Sequence, residues 1–122
     1  MGTFTVICRI ENPVRRGRRG EVPDALVDTG SGHTWVPEDV LRRIGIVPEK
    51  RDVAFVMANG TTVTRDVGFA IIRVDGYFTI DEVVFAKKGD LSLLGARTLE
   101  GLNLRPDTRR KKLVAAGPHP AA

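Results

Sequence analysis

Apolar and polar residues alternate from Thr3 to Ile10, which puts Phe4, Val6, Cys8 and Ile10 on one face. A period of two predicts a half-buried strand. Asn12-Pro13 through Gly20 is a turn or loop, and Val22 to Val27 is the returning strand. Thr34-Trp35-Val36 is strand-prone again, after which Pro37 opens a short helix that reaches Ile44. Proline suits the first helical position, Glu38 and Asp39 the positive end of the helix dipole, Arg42 and Arg43 the negative end, and Gly45 the stop. Val40, Leu41 and Ile44 form the stripe that this helix would bury.

Two hairpins follow. Val53 to Ala58 and Thr61 to Thr64 flank Asn59-Gly60, and Gly68 to Val74 and Tyr77 to Phe85 flank Asp75-Gly76. Both dipeptides predict type I′ turns, in which both central residues need positive φ. Lys87 to Asp90 is a turn, Leu91 to Leu94 a buried strand and Ala96 to Glu100 about one helical turn. Leu102 to Leu104 and Lys112 to Val114 are short strands on either side of Pro106. Many short strands at roughly 8–12-residue spacing, with two short helices, predict an all-β fold built as a closed or partly closed β-barrel. The expected division is one domain over residues 1–116 and a disordered tail over 117–122.

Composition then removes several function classes. No apolar run approaches the roughly 20 residues that cross a bilayer, so no membrane partner is expected. Met1-Gly2-Thr3-Phe4 is not the start of a secretory signal, and Val6 stands where N-myristoylation of Gly2 would require Ser or Thr. A cytoplasmic location is the expectation. Cys8 is the one cysteine, which excludes an internal disulfide and reads as a buried, inert thiol. With His33 and His119 as the only histidines, no metal site and no cofactor are expected. The net charge of +4 comes from Arg15, Arg16, Arg18 and Arg19 and from Arg109, Arg110, Lys111 and Lys112. Neither cluster is interleaved with aromatic residues that could stack on bases, so both read as solvated surface and no nucleic-acid partner is expected.

The chemistry concentrates in Ala25-Leu26-Val27-Asp28-Thr29-Gly30-Ser31. An apolar strand runs into an acid, a hydroxyl and a glycine. The glycine predicts a sharp turn through a positive φ. A carboxylate held beside an apolar core needs hydrogen-bond donors, and Thr29, Ser31 and the turn's backbone are the local ones. The Ser31 hydroxyl is expected to donate to Asp28 and lower its pKa. The tripeptide alone is also a common turn sequence. A second motif changes the balance: Ser92-Leu93-Leu94-Gly95 followed by Ala96-Arg97-Thr98-Leu99-Glu100, an apolar strand ending in glycine before a helical stretch.

An apolar strand, Asp28-Thr29-Gly30-Ser31, a hairpin tip at Asn59-Gly60 and Leu93-Leu94-Gly95 before a short helix come in that order. Together they resemble the retroviral-type (retropepsin-like) aspartic peptidases, in particular the small single-domain bacterial kind, over Thr3 to Val114. The resemblance implies an aspartic endopeptidase that acts on peptide or protein substrates. Asp28, Thr29 and Gly30 would form the catalytic loop, with Thr29 bonding across a two-fold axis and Gly30 meeting the substrate backbone. Ser31 and Met57 would lie beside the substrate, and the Val56-to-Thr62 hairpin would be a mobile flap with Ala58, Asn59 and Gly60 at its tip, also touching the substrate. Trp35 and Leu93 would be pocket walls, and the same two residues would serve equally well as core.

The chemistry needs one ionised and one protonated aspartate, sharing a proton. One chain carries one Asp-Thr-Gly, so the second aspartate must come from a second copy, in a homodimer. Retroviral members pair an acid two residues after this glycine with an arginine directly after the glycine of the second motif. Here those positions are Gly32 and Ala96, with Arg97 one place late. The competing reading is a catalytically idle member of the same fold, acting as a peptide-binding or dimerisation module.

Overall fold

The computed structural model describes residues 3–121; Met1 and Gly2 of the N-terminal reading and Ala122 of the tail lie outside them. The order of elements is β1 (Thr5–Glu11), β2 (Arg19–Val27), β3 (Thr34–Pro37), α1 (Glu38–Arg43), β4 (Lys50–Val56), β5 (Thr62–Val74), β6 (Tyr77–Ala86), β7 (Leu93–Leu94), α2 (Ala96–Leu102), β8 (Leu104–Asp107) and β9 (Lys112–Ala115). The strands are joined in the order β1-β2-β7-β3-β6-β5-β4, and β5 also pairs with β1. That last pairing, Arg9 to Glu11 against Ile71 to Arg73, closes a ring and leaves β4 as the strand outside it. β8 and β9 form a separate hairpin. The all-β expectation with two short helices holds, and the closure is a ring of strands rather than a regular barrel.

Side-chain alternation accounts for the ring. Cys8 and Ile10 of β1, Val22, Ala25 and Val27 of β2 and Ile72 and Val74 of β5 point into one core, which α1 covers with Val40, Leu41 and Ile44. Burial pushes the Cys8 thiol up to about 12, so it is inert. Strand β6 is buried on both faces at its end. Val83 and Phe85 enter the main core, while Val84 and Ala86 join Trp35 and Val67 in a second cluster. Val53, Phe55, Met57, Val63 and Leu93 pack on that second cluster, and it forms the base of the cleft described below.

The structure departs from the sequence reading in a few places. β2 begins at Arg19, which pairs with Glu11 of β1, and Gly20 passes under α1 where a Cβ would come within 2.8 Å of Val40. β5 runs unbroken through Arg65-Asp66-Val67; the charge at Arg65 is neutralised by Asp90, so it does not break the strand. Of Leu91 to Leu94 only Leu93 and Leu94 are strand. Leu102 belongs to α2, which ends at Asn103 with φ 57°, and β8 starts at Leu104 and contains Pro106. Gly117 to Ala121 is exposed and forms neither strand nor helix, with Gly117 O accepting from Asn103 Nδ2 at 2.7 Å.

Candidate active site

Strand β7 lies parallel to β2 and antiparallel to β3, and this wedge positions Asp28. The Leu26 N–H donates to Ser92 O at 2.9 Å and the Asp28 N–H to Leu94 O at 3.0 Å, which fixes where β2 ends. The loop then folds on itself: the Gly30 N–H donates to Asp28 Oδ1 at 2.9 Å, and the Ser31 N–H to Asp28 O at 3.2 Å. The start of α2 clasps it from the other side. The Ala96 N–H donates to Ser31 O at 2.8 Å and the Arg97 N–H to Gly32 O at 3.2 Å. These N–H groups lie in the first turn of a helix, where no intrahelical partner exists, so the loop carbonyls satisfy them.

Two glycines of the motifs are explained by close approach. Gly30 does not take a positive φ, contrary to the sequence reading. A Cβ there would lie 3.2 Å from Asp28 Oδ1, so the absence of a side chain is what lets its N–H reach the carboxylate. At Gly95 a Cβ would press into the His33 carbonyl and lie 3.0 Å from Ser31 O, both backbone atoms. The Gly95 N–H donates to Thr34 Oγ1 at 3.0 Å, and Thr98 Oγ1 donates to Asp81 Oδ2 at 2.8 Å. The contact between the two threonine hydroxyls therefore has Thr34 as donor. This buried chain ties β3, β6 and α2 together behind the loop.

Ser31 corrects another expectation. Its hydroxyl donates to His33 O at 2.8 Å, not to the Asp28 carboxylate. The 31–33 bend brings that carbonyl onto the hydroxyl, so the donor expected for Asp28 is spent on the backbone.

Asp28 opens onto a cleft of about 440 Å³. Of the sequence candidates, Asp28, Gly30, Ser31, Trp35, Met57, Ala58 and Leu93 line it, whereas Thr29, Asn59 and Gly60 do not. Thr29 is exposed on this single chain. Trp35 is only 5 % exposed, so it is at once a core residue and a wall. The hairpin tip at one side of the cleft is not a type I′ turn: Gly60 has φ +85°, but Asn59 does not have a positive φ. The Gly60 N–H donates to Met57 O at 2.9 Å and the Met57 N–H to Thr61 O at 2.8 Å, which makes a three-residue loop. Asn59 Oδ1 takes both the N–H and the hydroxyl of Thr61, and this local cap holds the longer form. At Asp75-Gly76 both φ are positive, as the type I′ reading requires.

Sequence reasoning missed the polar residues around this cleft. Asp90 lines it as a second carboxylate. Arg65 grips Asp90 bidentately at 2.7 and 2.9 Å, and the Lys87 N–H adds a bond at 2.8 Å. The Arg65 bonds hold the Asp90 carboxyl below the usual range, so it has no proton to share with Asp28. His33 Nε2 lies 3.1 Å from Glu82 Oε1 and 3.1 Å from Arg97 Nη1, and Lys50 pairs with the other oxygen of Glu82. Lys50, foremost, keeps the Glu82 carboxyl below its ordinary pKa. Arg97, one place late by sequence, thus works in a cluster with His33, itself one place beyond Gly32. The Phe55 ring stands edge-on to both His33 and Trp35, with centroids 5.2 Å apart in each case. No group of residues suited to holding a metal occurs among the described residues, and no helix among them is long and apolar enough to cross a membrane.

A ring of strands with an Asp-Thr-Gly loop at the floor of a hairpin-bordered cleft is the arrangement of the retropepsin-like aspartic peptidases. The family model described as "gag-polyprotein putative aspartyl protease" matches residues 19–101, and the chain belongs to that family. No curated protein matches the chain.

Proposed function

We propose that this chain is an aspartic endopeptidase whose active site forms on the axis of a homodimer, from Asp28 of each copy. The observation that carries the reading is the single free carboxylate at the cleft floor. Among the described residues Asp28 accepts only a backbone N–H on Oδ1, while Asp90, the other cleft carboxylate, is held ionised by Arg65. A hydrolysis that needs one ionised and one protonated carboxyl about 3 Å apart then requires a second Asp28. One Asp28 takes a proton from water while the other donates to the peptide carbonyl. The exposed Thr29 hydroxyl bonds across the axis, Gly30 meets the substrate backbone, and Ser31, Trp35 and Leu93 border the peptide. The β4–β5 hairpin, with Met57, Ala58, Asn59 and Gly60 at its tip, closes over it as a lid. The working domain is residues 1–116, and a cytoplasmic location, with one buried thiol, belongs to the same reading.

Cleavage of a mixed peptide library over a range of pH tests the proposal, with Asp28→Asn as the comparison. The parent should cut and follow a bell-shaped profile, because one proton on the pair is required. Asp28→Asn should keep the fold and lose at least about a thousandfold in kcat/KM. Peptide binding without cleavage by the parent would favour the idle module, and equal cleavage by both proteins would sink the assigned mechanism.

A further inference from the structure

His33 belongs to the cleft wall and is held on two sides, by the edge of Phe55 and by Glu82 and Arg97. The two polar partners make opposite demands on Nε2. An arginine N–H only donates and a carboxylate only accepts. Bare Nε2 serves Arg97, and protonated Nε2 serves Glu82. When Nε2 is bare the proton of the neutral ring sits on Nδ1, and the imidazolium carries a proton on Nδ1 as well. Nδ1 has no protein partner among the described residues. Two of the three states of the ring thus offer an unused N–H donor.

The groups around the ring leave that N–H as the donor on offer. Lys50 from β4 and Arg97 from α2 bring two positive charges, which face Glu82 and its β6 neighbour Asp81, and Asp81 is occupied by the Thr98 hydroxyl and the Glu82 N–H. Elsewhere on the cleft Asp90 is neutralised by Arg65, and the two Asp28 groups of the proposed dimer would hold one proton between them. Trp35, Phe55, Met57 and Leu93 add apolar walls to the rest of the lining.

We infer that His33 is a substrate-reading residue of this cleft, and that the group it reads is the carboxylate of an Asp or Glu side chain in the bound peptide. This rests on the peptidase reading. In a two-fold dimer it places one such position on each side of the cut, in a peptide that is otherwise apolar near the scissile bond.

The test uses peptides that differ only by Glu, Gln or Leu, placed in turn at each position flanking the cut, and reads kcat/KM for Glu over Gln. Titration of the Asp28 pair cancels in that ratio. At one position or more the ratio should reach about tenfold, the scale of one charge-assisted hydrogen bond. His33→Leu should bring the ratio close to one. His33→Gln, which keeps a neutral donor, should retain a small preference for Glu. A parent enzyme indifferent to Glu at every position, or a ratio unmoved in either variant, overturns the inference and leaves the peptidase reading standing. A parent that cuts none of the peptides overturns both.

Discussion

Glu11 shows how much one buried carboxylate organises. It is 2 % exposed, and it sits where β1 meets β5 to close the ring. Oε2 accepts from the Gly17 N–H and from Arg16 Nε at 3.0 Å each, and Oε1 from Arg73 Nη2 at 3.1 Å. Two arginines that raise the net charge are therefore occupied with a structural carboxylate. The Gly17 N–H first, then Arg16 and Arg73, hold the Glu11 carboxyl down at about 2. A carboxyl whose pKa is lower in the folded than in the unfolded chain stabilises the fold fully above its unfolded value. That stability is lost as pH falls through the folded value. For Glu11 the window runs from roughly pH 4.3 down to about pH 2. Glu11→Gln should lower the melting temperature at pH 7, and the gap to the parent should narrow through that window until it is small near pH 2. Thermal unfolding at several pH values checks this, and a constant gap would mean that the charge is not what matters.

At the scale of elements, the β4–β5 hairpin links sequence to function most directly. Its position was legible from Asn59-Gly60 between strand-prone runs, but its turn type was not. The rule that reads Asn-Gly as a type I′ turn counts backbone preferences only, and Asn59 spends its side chain on Thr61 instead. Gly60 still carries φ +85°, with nothing within 4 Å of a Cβ placed there. Gly60→Val therefore meets backbone strain alone, about 1–2 kcal/mol confined to the tip. Peptide turnover should fall several-fold while global unfolding changes little. Kinetics and thermal unfolding of the same sample separate the two, and unchanged kcat/KM would show that this tip is not the lid. The Leu93-Leu94-Gly95 element was legible as a strand ending in glycine. Its reason, the carbonyls of His33 and Ser31 packed where a Cβ would be, depends on segments some 60 residues away in sequence.

At the scale of the whole molecule, the proposed site is half a site. If two Asp28 groups make one active centre, then mixing parent with Asp28→Asn poisons the mixed dimers. In an equal mixture at constant total protein, about a quarter of randomly paired dimers carry two aspartates. Activity should then fall to about one quarter of the parent's, whereas chains working alone would keep about one half. Dilution should lower specific activity, and Thr29→Val should bring that loss on at higher concentration. A monomer by sedimentation with full specific activity would contradict the dimer.

What the sequence determined by itself is local. Period-two alternation named β1, strand-prone runs between turn signals named most of the other strands, proline, charge order and glycine framed α1, and an apolar run into Asp28-Thr29-Gly30 marked the loop. Each of those signals acts between residues a few positions apart, where the backbone itself fixes the distance. What only the tertiary structure decided is who meets whom across the fold. Ser31 turns to His33 O rather than to Asp28, and β1 finds β5 to close the ring. His33 meets Glu82 from 49 residues away and Arg97 from 64. No periodicity encodes such contacts, because a polar residue on a strand looks the same in sequence whether its partner is water or a side chain that arrives from another strand.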